Sequence, residues 1–188
     1  MDFNPDAYEK LHTRNLQMTS YGYRADAIVL EGRLVDERFF PSHNLFGDHR
    51  PPGIVHDMTL RMVIAGSGLV IEDIEAQMTT VPNTECREAL ASVAPLKGER
   101  ITGGFTARVH QRIGGGSGCA HLVALARAMA SAAVQGAYAA MSRQPPPGGT
   151  YPMKSLRAVI DTCHIWRSDG PLVQRLLRLA GRGKQNNA

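Results

Sequence analysis

Cysteine is scarce in this chain. There are three in 188 residues, at positions 86, 119 and 163, and no Cys-x-x-Cys pair. An odd number of widely spaced thiols excludes a disulfide framework, and the missing pairs exclude a zinc ribbon. Reduced cysteine remains, used as a ligand, as a nucleophile or as a small buried apolar group. Aromatics supply only 6% of residues, and the net charge of +4 comes from scattered Lys and Arg, densest over residues 175–184. No aromatic platform accompanies that charge, so nucleic acid is not expected as a partner, and the run reads as a solvated helix and tail. No stretch approaches the ~20 apolar residues of a membrane span, and no N-terminal run resembles a signal peptide; no membrane contact and a cytoplasmic location are expected.

Length and composition suit one folded domain with extensions. Residues 1–22 are polar, with few periodic apolar positions, and are expected to form a partly ordered arm. Residues 23–180 should form a single α+β domain interrupted by a Pro/Gly connector at 143–150, with a disordered tail at 181–188. The β-rich run 27–36, broken by Gly32, predicts a strand pair or a bulged strand, and the Pro- and Gly-rich stretch 41–53 predicts a loop. The clearest element is a hairpin. His56, Met58, Leu60, Met62 and Ile64 share one face, Gly66-Ser67-Gly68 turns the chain, and Glu72, Ile74, Ala76 and Met78 share a face of the return strand.

Helical spacing then predicts a short helix over 85–94, a second over 103–113 on Phe105, Val109 and Ile113, and a long one over 122–141 on Leu122, Leu125, Met129, Ala132 and Gly136. Residues 156–160 read as a short β-like run. A last amphipathic helix starts at Gly170-Pro171 with Leu172, Val173, Leu176 and Leu179 inward.

Chemistry concentrates around the glycine loop Gly114-Gly115-Gly116-Ser117-Gly118, which delivers Cys119 and His121 to the start of the long helix. Unpaired N–H groups and the positive end of the helix dipole there stabilise a thiolate or another anion. Residues two apart on a helix point to nearly opposite sides, so Cys119 and His121 face one ion only if Cys119 precedes the helix. Cys86 falls in the first turn of the short helix, His56-Asp57 heads the hairpin's apolar face, and Asp161 is followed by Cys163-His164. Thiolate and imidazole suit borderline and soft metals, and three or four of them converging would hold zinc or iron. The same residues allow metal-free catalysis: a Cys119 thiolate activated by His56 or His121, an imidazole oriented by Asp57 or Asp161, and loop N–H groups as an oxyanion hole. A P-loop is not expected, because no Lys follows the glycines.

The order His56-Asp57-Met58, a lone Cys86, Gly118-Cys119-Ala120-His121-Leu122 and Cys163-His164 resembles a bacterial family known only as a domain of unknown function. The same hairpin, with Cys86 and Cys119 following, more distantly resembles NifU-like iron–sulfur scaffold proteins. That resemblance implies a small antiparallel sheet with helices packed on one face, a scaffold core with an N-terminal strand extension, and a site at one end of the sheet. His56 stands where the scaffolds have their first Cys, and the Gly beside the middle Cys is missing. Imidazole for thiolate favours zinc or mononuclear iron over a transferable cluster. The implied site is one metal on His56, Cys86 and Cys119, with His121 or Asp57 as a fourth ligand or in support, and with Asp161, Cys163 and His164 close by. Two uses follow, a small-molecule metalloenzyme with an apolar pocket near Met58, Met62 and Met129, or an iron–sulfur or sulfur-handling accessory that meets a partner protein.

Overall fold

The computed structural model describes residues 4–145 and 159–185. Its frame is a four-stranded antiparallel sheet in the order β1-β2-β5-β6, built from β1 (His12–Arg24), β2 (Ala27–Arg38), β5 (Gly53–Ala65) and β6 (Val70–Thr80). A two-stranded ribbon, β3 (Ser42–His43) with β4 (His49–Arg50), stands between β2 and β5 and pairs His43 with His49. Helices α1 (Phe105–Ile113) and α2 (Ala120–Met141) cover one face, and α3 (Pro171–Gln185) follows a 3-10 turn at His164–Trp166. The architecture is α+β, as the patterning implies.

Period-two alternation sets what the helices cover. Leu30 and Leu34 of β2 and Met58, Leu60, Met62 and Ile64 of β5 are at most 1% exposed and point at the helices. Against them α2 lays Leu122, Leu125, Ala126, Met129 and Ala133, all fully buried, and α1 adds Phe105, Val109 and Ile113. Each buried Leu, Met or Ile contributes roughly 2 kcal/mol. By length and composition α2 is long and apolar enough to cross a membrane, contrary to the sequence expectation, but its apolar stripe lies on the sheet. Gly32 does not break β2, which is one continuous strand. A Cβ there would lie 2.6 Å from Met129 Sδ, so the glycine lets α2 sit close.

Other expectations change. Residues 12–22, read as part of an arm, form with Tyr23 and Arg24 an edge strand paired with β2 from His12↔Arg38 to Arg24↔Ala27; its apolar side, Leu16 and Met18, is too short to stand out in sequence. The expected short helix is a run of 3-10 turns, Thr84–Leu96, in which Leu90, Val93 and Leu96 recur at the three-residue period of that geometry and lead into the core. Helix α3 reaches Gln185 inside the expected tail, and only Val173 of its four expected inward residues is buried. Most of the connector and of the β-like run at 156–160 lies outside the described residues.

Candidate metal centre

Register builds the site. Arg14 of β1, Asp36 of β2 and His56 of β5 are direct cross-strand partners, so they stand side by side on the helix-covered face. The next row inward is Leu16, Leu34, Met58 and Met78, an apolar floor. His121, in the first turn of α2, comes down onto this row from above.

Asp36 is the centre of the group and is 2% exposed. Arg14 Nε donates to its Oδ1 and Nη2 to its Oδ2, both at 2.7 Å. His56 Nδ1 lies 3.0 Å and His121 Nε2 3.5 Å from Oδ2, while His12 Nε2 is 3.4 Å from Oδ1. Burial pushes the Asp36 carboxyl up, but the hydrogen bonds and charge of Arg14 outweigh it and hold the group at about 2. Both imidazoles move below their ordinary range. For His56, burial and the charges of Arg14 and His12 prevail over Asp36. For His121, burial acts first, followed by His56 and Arg14, again against Asp36. Near neutral pH the site therefore holds one carboxylate and two uncharged imidazoles. The two rings lie 3.9 Å apart between centroids at 33°.

Cys119 is the N-cap of α2, in extended conformation, and its carbonyl accepts Val123 N–H at 2.9 Å. The thiol precedes the helix, which is the condition for Cys119 and His121 to face the same space, and Sγ lies 3.6 Å from His121 Nδ1. Of the loop glycines only Gly115 has a left-handed angle, φ 58°. Gly118 serves close approach instead, since a Cβ there would meet the Ile113 carbonyl oxygen at 2.5 Å and Ser92 Oγ at 2.9 Å.

Among the described residues, Asp36, His56 and His121 are the one group of three metal-ligating side chains whose donor atoms all lie within 4.8 Å of one another. Sequence spacing brought His56, His121 and Cys119 to notice, and the fold places them at one end of the sheet. It does not bring the others there. Asp57 follows His56 on a strand, so its side chain emerges on the opposite face, where Arg33 holds it at 2.8 and 2.7 Å. Cys86 is half-buried against the apolar core and joins no ligand group among the described residues. Cys163 is exposed; His164 receives Arg167 Nη1 at 3.3 Å, and Asp161 accepts the Ser168 N–H at 2.7 Å, so this segment bonds to itself. Met58, Met62 and Met129 are buried in the core cluster between the sheet and α2. Asp36 and Arg14 were missed. A signal existed for Asp36: it ends the row Ile28, Leu30, Gly32, Leu34, and an acid in a buried row is the informative exception.

The pattern of a family described as a protein of unknown function (DUF2889) matches residues 12–135, and the chain belongs to that family. The match spans the sheet, α1 and most of α2, and so every residue of the Asp36 group. No curated protein and no solved structure matches the chain.

Proposed function

We propose that the end of the sheet beneath the start of α2 binds one divalent transition-metal ion through Asp36, His56 and His121. The spacing of the donors carries the reading. An ion bonded at about 2.0–2.1 Å to nitrogen and oxygen in tetrahedral geometry separates its ligands by about 3.4 Å, and the Asp36 Oδ2 to imidazole distances are 3.0 and 3.5 Å. Two neutral imidazoles and a carboxylate suit zinc, iron and their neighbours. Three protein donors leave positions free for water and a substrate, which makes a small-molecule metalloenzyme the activity this arrangement supports best. With His121 Nε2 turned to the ion, its one N–H is at Nδ1, where Cys119 Sγ accepts it and fixes the ring. An iron–sulfur or sulfur-handling role needs converging thiolates, and the described part of the chain gathers none.

Titration of chelator-treated protein, purified without a histidine tag, with Zn2+, Fe2+ and Mn2+ tests the proposal. One ion per chain should bind, and His56→Ala or His121→Ala should abolish it. Equal binding by wild type and the double variant would end the metal reading.

One observation favours a second use of the same residues. Cys119 Sγ, His121 and Asp36 stand in line, 3.6 Å and 3.5 Å apart, as a nucleophile, base and orienting acid would. Under that reading the metal-free Cys119 thiol is alkylated quickly near neutral pH, and His121→Ala slows it. Under the metal reading, bound metal protects the thiol and Cys119→Ser keeps the ion.

A further inference from the structure

A cavity of about 300 Å3 lies at the other end of the sheet. Ile28 and Ile64, cross-strand partners, form its floor, and Val134, Ala137 and Met141 from the last turns of α2 form its roof. The pair Ile28 and Ile64 stands eight residues along the strands from Asp36 and His56, about 26 Å at the rise of a β-strand. The cavity is therefore no part of the candidate metal centre.

Its frame is preformed. The β1–β2 and β5–β6 turns are tied together by Gly66 N–H donating to Asp26 O at 2.8 Å. Leu69, in the second turn, has φ 49°, a conformation costly for a branched side chain, and is only 6% exposed. The turn keeps that strain and places an apolar side chain in the cavity wall. The charged groups of the lining are already satisfied. Arg24 pairs with Asp26 at 3.0 Å and is also held by Glu72 at 2.6 Å, so among the described residues the rim presents neither a free cation for a carboxylate nor a free anion for an amine. Apolar walls of this volume with a self-neutralised rim are those of a small-ligand pocket.

We propose that this cavity is a second binding site, for an uncharged, mainly apolar small molecule of the size of a medium-chain alcohol. Its walls contribute burial, and its closed ion pairs exclude charged heads, whose desolvation they cannot offset. Three probes of one chain length, 1-octanol, octanoate and octylamine, separate these terms by calorimetric titration of the full chain. Saturable one-to-one binding of 1-octanol is expected, with both charged probes at least tenfold weaker. Ala137→Phe, which fills the cavity, should weaken 1-octanol at least tenfold and leave metal stoichiometry unchanged. If that variant does not fold, Met141→Ala serves instead: it enlarges the cavity and should shift the tightest-binding alcohol from octanol toward decanol. Octanoate binding best, unsaturable uptake of 1-octanol, or identical alcohol preference in wild type and both variants would overturn the proposal. Retention of 1-octanol binding by His121→Ala is also expected, which keeps a failure of this site distinct from a failure of the metal centre.

Discussion

Two buried aspartates sit on adjacent strands at one end of the sheet, and each is gripped from the neighbouring strand by both sides of an arginine. Asp36 takes Arg14 at 2.7 and 2.7 Å, and Asp57 takes Arg33 at 2.8 and 2.7 Å. Both carboxyls lie below their usual range. For Asp36 burial is outweighed by Arg14; for Asp57 the Arg33 hydrogen bond leads, against burial and with the charge of Arg33. The difference is the face. Asp36 points under α2 and meets His56 and His121, whereas Asp57 points away from the helices and among the described residues pairs with Arg33 alone. A buried Asp–Arg pair is thus a structural unit, and the imidazoles turn one copy of it into a candidate site.

The largest effect that can break this comparison is on metal. Asp36→Asn should lower metal affinity more than about 100-fold, beyond what loss of an outer partner costs, while Asp57→Asn should leave it within about twofold, the ordinary scatter for a residue in no contact with the site. Calorimetric titration reads both, and loss of metal in Asp57→Asn would end the contrast. Stability should not separate them: each change leaves a half-exposed arginine without its acid and costs roughly 1–3 kcal/mol in urea unfolding.

Acid comes next. A carboxyl held at about 2 stabilises the fold above the unfolded-state pKa of about 4, and that contribution, roughly 2 kcal/mol, is lost as pH falls from 4 to 2. The imidazoles share the sign. Held below their ordinary value, they bind fewer protons folded than unfolded, so metal-free protein should lose stability as pH drops below about 6.5. Denaturation curves of the His56→Ala/His121→Ala variant should lack that first stage, and a flat wild-type profile between pH 7 and 5 would contradict the assignment.

Smaller effects sharpen the contrast. Arg14 places a positive charge beside the proposed ion, so Arg14→Gln should tighten metal binding by about tenfold, and Arg33→Gln should not change it. Smallest is Cys119→Ser, expected to shift metal affinity by no more than about tenfold, because the thiol touches an imidazole and not the ion.

Much of the fold was legible. Alternation over 56–64 and the spacing of Phe105, Val109 and Ile113 reflect one-sided burial, which leaves a local periodic mark. Strand β1 was not, because an edge strand in which Leu16 stays exposed and Met18 packs against the core leaves too short a pattern. The site divided in the same way. His56, Cys119 and His121 stood out because each adjoins a readable strand start or helix start. Alternation alone already separated His56 from Asp57, and the reading that joined them overlooked it.

By itself the sequence determined the α+β class, the hairpin, the two helices on the sheet and the arrival of Cys119 and His121 at a helix start. Each follows from local periodicity and the conformational limits of glycine and proline. Only the tertiary structure decided that Arg14, Asp36 and His56 form one row, that α2 sets His121 above it, and that Cys86 and Asp161 to His164 lie apart. Strand register and helix placement are fixed by contacts between segments far apart in the chain, and one residue of register would have turned Asp36 to the other face.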